Sequence, residues 1–286
     1  MSYELPKDEG LTPSLRGSNQ QPLPTKEPGR RRATIDTMRL ARLLTLLGVA
    51  TFAATMLFVP RIAQSQSYHD FADQRRLLAR VPNTLNVVSN AAFLLAAAIG
   101  FAAAAPADRF RTSAERVDAL VFFTGMALTA VGSTIYHLAP SDRTLPYDRA
   151  GMTVGFMAFM AMLAHEHLDV GKWLLPAILA IGLGSIGWWM LRDDLRPYGW
   201  VQFFPILVLV LIAAIGRPRY SGERTTLAIV FAAYAAAKLF ETADRSIYVA
   251  TANLVSGHTL KHLAAACAPV AVSFWIARRA PDGRTA

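Results

Sequence analysis

Four residues have the spacing of a catalytic metal site. His258 and His262 are four residues apart near the C-terminus, and His137 follows Ser133 by the same interval far upstream. Side chains at positions i and i+4 lie on one side of a helix. Three neutral imidazoles can bind a tetrahedral zinc ion and leave its fourth position open. Zinc held in this way polarises a carbonyl oxygen and lowers the pKa of a water molecule, which is hydrolytic chemistry.

Hydrolysis at such a site also needs a group that takes and returns a proton. Asp148 is the candidate, because it follows His137 across a short loop. Each residue type also has a structural explanation. An H-x₃-H pair is weak evidence by itself, a serine can pack membrane helices, and an aspartate can cap a helix. The choice between chemistry and structure depends on whether these residues can meet.

The composition indicates the kind of element that positions them. The 286 residues are 53% hydrophobic and only 17% charged, which is too apolar for an ordinary soluble domain. We therefore predict an all-α integral membrane protein. A helix needs about 20 residues to cross the hydrocarbon core. Eight apolar stretches approach that length, at about 41–60, 84–105, 117–138, 149–166, 172–191, 199–216, 226–240 and 260–277.

The N-terminal region has two parts. Residues 1–38 are rich in Pro, Gly, Gln and charge without apolar periodicity, which predicts a disordered tail. The apolar segment that follows starts too deep in the chain and is too long for the apolar region of a signal peptide. We therefore predict that residues 39–61 form a retained anchor helix.

The positions of Lys and Arg predict the orientation, because cytoplasmic loops are enriched in both. They precede the first span, recur in alternate loops and follow the last span, so both termini are predicted to be cytoplasmic. The residues concerned are Arg30, Arg31, Arg32, Arg39, Arg42, Arg109, Arg111, Arg116, Arg217, Arg219, Arg224, Arg278, Arg279 and Arg284.

The net charge of +9 is mostly this topology signal, and it also favours contact with anionic membrane lipids. Nucleic acid is not a predicted partner. The basic residues are dispersed along membrane borders, with no aromatic residues between them and no soluble domain to form a groove.

This topology brings the candidate residues into one half of the membrane. The span that ends near His137 runs outward, and the spans that begin after Asp148 and near His258 run inward. An ionisable side chain in a membrane helix is costly, so its default interpretation is functional. The convergence therefore favours a metal site on the outer side.

Four segments carry a resemblance to a known family. They are YHDFADQRRLLARVPNTLNVVSN (68–90), GSTIYH (132–137), YDRAGM (147–152) and HTLKH (258–262). Together they resemble the alkaline ceramidase family, within the wider superfamily of seven-span hydrolases that includes adiponectin-receptor-like proteins. The resemblance extends from about residue 68 to residue 277. It implies a seven-helix membrane domain over residues 62–278, to which the anchor helix is added, and a cytoplasmic tail over 279–286.

The resemblance also implies roles for the candidate residues. His137, His258 and His262 would bind Zn²⁺, Asp148 would move the proton, and Ser133 would stabilise the oxyanion. The implied activity is zinc-dependent hydrolysis of the N-acyl bond of ceramide or a related N-acylated lipid. Independently of the resemblance, the basic loops are compatible with a bacterial inner membrane. Two alternatives stay open. One is a non-enzymatic receptor or structural protein with a structural zinc, and the other is a transporter whose histidines relay protons.

The family's animal members additionally bind Ca²⁺ just before the first core helix. Asp70, Asp73 and Asn83 lie where such ligands would fall. Arg75, however, stands where an amide ligand is expected, and its positive charge opposes a cation that needs oxygen ligands. The alternative is a local salt-bridge latch between Asp70 or Asp73 and Arg75 or Arg76.

Other polar residues in the spans carry structural predictions. Asn83, Asn86 and Asn90 share one side of the second span, so we expect them to face the bundle interior and bond across helices. His165 and His167 fall at the opposite end of the fourth span from the proposed zinc. We therefore predict that both are interfacial.

Overall fold

The computed structural model describes Ser2 and residues 28–78, 80–168, 170–215 and 220–279, with residues 28–36 and 215 as backbone only. Most of the predicted disordered tail and of the predicted C-terminal tail therefore lies outside the described residues. Within them the secondary structure is helical and contains no strand, which confirms the predicted all-α class.

Ten α-helices form the described chain, together with two short 3₁₀ turns. The helices are α1 (Pro28–Phe58), α2 (Thr84–Ser89), α3 (Ala91–Ala104), α4 (Ser113–Leu138), α5 (Leu145–His167), α6 (Leu174–Arg192), α7 (Arg196–Ile215), α8 (Glu223–Thr242), α9 (Asp244–Ala250) and α10 (Gly257–Ala277).

Seven segments of the described chain are long and apolar enough to cross a membrane, as expected of a multi-pass membrane protein. They belong to α1, to α2 with α3, and to α4, α6, α7, α8 and α10. The fourth of the eight predicted spans is α5, which is 23 residues long but is not among the seven. Its ends are too polar, because they carry Asp148, Arg149 and the sequence HEH. Since α5 is mostly buried among other helices, its polar ends face protein.

The closest helix pair in the bundle is α4 with α5, and glycines make the approach possible. A Cβ atom added to Gly125 would lie 2.4 Å from the backbone nitrogen of Gly155, and one added to Gly151 would lie 2.4 Å from that of Thr129. Gly151 and Gly155 form a G-x-x-x-G pattern, which is typical of close-packed membrane helices. This contact fixes the end of α4 beside the start of α5.

The other helices surround this pair. α3 packs on α4, α10 packs on both α3 and α8, α6 and α7 pack on α5, and α1 packs on α7. The C-terminal end of α4 and the N-terminal ends of α5 and α10 therefore lie at one end of the bundle. We call this the site end, and the opposite one the far end. The segment between α1 and α2 covers the site end, and its Phe71 ring lies 4.6 Å from the ring of His137 and 4.5 Å from that of His258.

Candidate metal centre

The three predicted ligands meet at the site end. His137 lies in the last turn of α4, and His258 and His262 lie in the first two turns of α10. Their ring centroids are 4.8 to 5.0 Å apart, and one nitrogen from each ring lies within 4.8 Å of the others. All three side chains are buried. Three histidines that lie on two separate helices thus form a single cluster.

The donor set fits a transition-metal ion. The Nε2 atoms of His137 and His258 face each other at 3.2 Å. Two ligands of a tetrahedral zinc ion with Zn–N bonds of about 2.0–2.1 Å are separated by roughly 3.3 Å. Imidazole suits zinc and several other transition ions. No fourth His, Cys, Asp or Glu joins this group among the described residues.

Side chains behind the ligands orient two of them. The Oγ atom of Ser89 lies 2.8 Å from Nδ1 of His262, which leaves Nε2 of that ring for a metal. Asp244 accepts hydrogen bonds from the backbone nitrogens of His258 at 2.7 Å and Ala72 at 2.9 Å, and so connects α10 to the covering segment. Sequence reasoning missed the role of Ser89, although a serine in an apolar span was the available signal.

The asparagine prediction is confirmed in part, because all three face the bundle interior but the Asn90 amide donates to the carbonyl of Asn86 on the same span. Asn83, Asn86 and Asn90 are all buried. Asn83 donates to the backbone carbonyl of His137 at 2.8 Å, and the side-chain carbonyl of Asn86 accepts from the hydroxyl of Thr259 at 2.8 Å. These bonds connect α2 to α4 and to α10 across the bundle.

Ser133 and Asp148 meet beside the histidines. Both side chains are buried and line the same cavity, and the backbone next to Ser133 packs directly against the backbone of Tyr147 and Asp148. Asp148 is in the first turn of α5, whose N-cap is Thr144, so Asp148 does not act as the helix cap. The predicted proton carrier is thus held beside the predicted oxyanion residue.

A cavity of about 410 Å³ begins at this group and runs between the helices. Its polar end includes Ser133, Asp148 and His262. The remaining wall is mostly apolar and includes Phe93, Phe122, Met126, Phe156, Phe159, Leu209, Val230, Phe231 and Val272. This lining suits a hydrocarbon chain that has a polar group at the end near the histidines.

The residues predicted as possible calcium ligands make other contacts. Arg75 forms a two-pronged ion pair with Asp73, with both N···O distances at 2.7 Å, and also donates to the carbonyl of Leu254. Asp70 is exposed, and Asn83 is engaged with His137. Burial raises the pKa of Asp73, but the bonds from Arg75 outweigh it and the pKa is lowered. This geometry is the salt-bridge latch rather than a calcium site.

His165 and His167 lie at the predicted end of α5, and their side chains are buried against other helices there. His165 pairs with Asp118 and His167 pairs with Glu223, each at 2.6 Å. Sequence reasoning missed this cluster because its acidic partners lie on other helices.

Glu166, between these histidines, forms an ion pair with Arg279. Ligand atoms of Glu166, His167 and Glu223 also lie within 4.8 Å of one another. The guanidinium of Arg279 already supplies positive charge there, and this opposes a second cation. The cluster is therefore an ion-pair network that joins α4, α5, α8 and the end of α10.

Searches against protein-family models, curated proteins and solved structures find no match to this chain. The resemblance to alkaline ceramidases therefore rests on the four motifs alone.

Proposed function

We propose that this protein is a zinc-dependent membrane amidase. It would hydrolyse the N-acyl bond of ceramide or a related N-acylated lipid to a fatty acid and an amine base. The observation that carries the proposal is the position of three histidines, with no fourth ligand among the described residues, beside a Ser133–Asp148 pair at the polar end of an apolar cavity.

The side chains have distinct tasks in this reaction. Zinc bound by the three histidines would polarise the amide carbonyl and acidify a water molecule. Asp148 accepts the proton of the attacking water and returns it to the departing amine nitrogen. Ser133 donates a hydrogen bond to the carbonyl oxygen as negative charge develops on it. The apolar wall holds the acyl chain and keeps bulk water away.

An open coordination position favours catalysis over a structural role. Structural zinc sites are closed by four protein ligands, whereas catalytic sites have three. A serine and an aspartate beside the ligands are also unnecessary for a purely structural ion. The non-enzymatic alternative is therefore the weaker of the two.

We also propose that the site end faces away from the cytoplasm, in a bacterial inner membrane with cytoplasmic termini. The far end carries Arg109 and Arg111 between α3 and α4, Arg116 in the first turn of α4, and Arg278 after α10. The loops at the site end mix basic residues with Asp73, Asp142, Asp193 and Asp194. This bias follows the enrichment of Lys and Arg on the cytoplasmic side.

Metal analysis and hydrolysis assays on detergent-purified protein test the function. We expect about one zinc per chain, lost in the His258→Ala/His262→Ala double variant. Asp148→Asn should retain the zinc but hydrolyse N-acyl lipids at least about 100-fold more slowly. A folded wild-type protein without a transition metal would contradict the zinc site. Full zinc occupancy with no hydrolysis of any N-acyl lipid would favour the structural alternative.

A further inference from the structure

Arg149 is a buried cation that lacks a carboxylate partner. It follows Asp148 in the first turns of α5, and only 6% of its surface is exposed. In the described part of the chain Arg149 forms no ion pair, whereas Arg75, Arg196 and Arg279 each do. Burial of an unpaired charge is costly. A position that keeps one therefore calls for a functional explanation.

Aromatic rings cover the guanidinium without using its donors. Its central carbon lies 4.1 Å from the ring centroid of Trp189, 4.7 Å from that of Tyr198 and 5.7 Å from that of Tyr68. Such contacts stabilise the cation through its faces, while its hydrogen bonds run in the plane. Nη2 donates to the side-chain oxygen of Gln64 at 2.6 Å, but Nη1 makes no hydrogen bond to any residue that the structure describes. The aromatic contacts thus fix the guanidinium and leave a donor unused.

Arg149 also belongs to the wall of the cavity that begins at the metal centre. The other cations in that wall, Lys238 and Lys261, are both paired with Glu241. With Asp148 ionised, the wall carries three cations and two acids, so its formal charge is positive. The polar end of the mostly apolar cavity therefore carries a net charge of one positive unit.

We infer that Arg149 binds an anionic group, a carboxylate or a phosphate, on the amine part of the lipid. The planar guanidinium fork matches such oxyanions and forms strong charge-assisted bonds with them. This inference rests on the proposed function and narrows its substrate class to anionic N-acyl lipids in preference to neutral ones such as ceramide. The acyl chain then lies along the apolar wall, and the anion lies on the Arg149 side of the scissile amide.

Binding to metal-free protein tests this inference without interference from turnover. Equilibrium dialysis in detergent compares three palmitoyl probes: N-palmitoylglycine, which is anionic, N-palmitoylethanolamine, which is neutral, and palmitate itself. We expect wild-type protein to bind N-palmitoylglycine about tenfold or more tightly than the neutral amide. In Arg149→Gln this preference should fall close to one, and in Arg149→Lys it should fall to an intermediate value.

Arg192→Gln is the matched control, because Arg192 is exposed and also lies against a tryptophan ring, that of Trp188. It should keep the wild-type preference. Size-exclusion chromatography and circular dichroism establish that each variant is folded. Should Arg149→Gln fail to fold, the wild-type preference and the Arg149→Lys variant still decide the matter.

Two outcomes would overturn the inference. One is equal binding of the anionic and neutral amides to wild-type protein. The other is equally tight binding of palmitate with the same dependence on Arg149, because the site would then hold the carboxylate of the released fatty acid. The proposed function is tested separately. If wild-type protein prefers the anionic amide but zinc-loaded protein hydrolyses neither amide, the Arg149 site is supported and the amidase is not. If both amides are hydrolysed equally and Arg149→Gln changes nothing, the amidase is supported and the Arg149 site is not.

Discussion

At the scale of single residues, the metal centre depends on side chains that do not touch the metal. Ser89 fixes the orientation of the His262 ring, Asn83 holds the backbone of His137, and Asp244 holds the backbone of His258. A partner on the second ring nitrogen, such as Ser89, fixes the tautomer and direction of a ligating imidazole. The His262 ring is thereby oriented before a metal binds, whereas His137 and His258 are held through their backbones.

We predict that Ser89→Ala weakens zinc binding by about 10–100-fold without unfolding the protein, because the hydrogen bond to Nδ1 of His262 is lost. Zinc affinity is measured by competition with a chromophoric chelator. Ser273→Ala is the control. Ser273 is buried on α10, the helix that carries His262, and among the described residues its hydroxyl bonds to the carbonyl of Pro269 alone. Equal zinc affinities of Ser89→Ala and wild type would show that Ser89 has no part in the centre.

At the scale of helices, the proposed catalytic pair of Ser133 and Asp148 depends on backbone contact between α4 and α5. A Cβ atom on Gly132 would lie 2.1 Å from the carbonyl oxygen of Tyr147. That atom belongs to the backbone beside Asp148, so it cannot rotate away. Any side chain at Gly132 must therefore move α5 away from α4 at the point where Ser133 meets Asp148.

Gly132→Ala should accordingly destabilise the protein by about 1–3 kcal/mol or more and reduce hydrolysis. Gly184→Ala is the matched control, because a Cβ atom on Gly184 of α6 would meet nothing within 4 Å. Alanine is preferred to glycine in a helix by about 1 kcal/mol, so this change should be neutral or stabilising. Melting temperatures in detergent compare the two variants, and similar values for both would refute the close contact.

A pH-dependent contact holds α1 to the bundle. Arg196 donates to the carboxylate of Asp194 and to the backbone carbonyls of Met56 and Val59 at the end of α1. Hydrogen bonds from Arg196 lower the pKa of Asp194 to about 2. Because this lies below the usual value of about 3.9, the ionised carboxylate stabilises the fold. The stabilisation is fully present above the unfolded pKa and is lost as the pH falls through about 2.

We therefore predict that Asp194→Asn lowers the unfolding free energy at pH 7 by up to about 2 kcal/mol. The difference from wild type should shrink below about pH 4, and thermal unfolding in detergent across this range measures it. Asp193→Asn is the control, since Asp193 is largely exposed and has a φ of 47°, which asparagine adopts readily. A difference that stays constant down to pH 3 would contradict the role of the charge.

The positions of the helices could be predicted from the sequence more accurately than the contacts between side chains on different elements. Long apolar runs determine where spans occur, and an i, i+4 interval determines which side chains share a helix face, so the grouping of the histidines could be predicted. The partners of Ser89, His165 and Arg149 lie on other helices, at distances along the chain that no local pattern encodes. The boundary between α2 and α3 at Asn90 also escaped prediction, because no Gly or Pro stands near Asn90 to mark a break in the helix.

At the scale of the whole molecule, two buried polar clusters occupy opposite ends of an apolar bundle. The site end has three histidines beside a cavity, whereas at the far end the carboxylates of Asp118, Glu166 and Glu223 are paired with His165, Arg279 and His167, respectively. This asymmetry supports the proposal that the site end carries out the chemistry and that the far end contributes stability. It also makes the orientation in the membrane decisive, since it determines the side from which water reaches the centre.

Cysteine labelling can measure that orientation. Arg143 and Lys172 are exposed and lie just outside the two ends of α5, so Arg143→Cys and Lys172→Cys place a thiol at each end of the bundle. Cys267 is first replaced by serine, which leaves each variant with one cysteine. In cells, a membrane-impermeant maleimide should modify Arg143→Cys directly and Lys172→Cys only after lysis, because basic loops stay in the cytoplasm. The opposite labelling would place the metal centre on the cytoplasmic side, and the lipid would then be supplied from the inner leaflet.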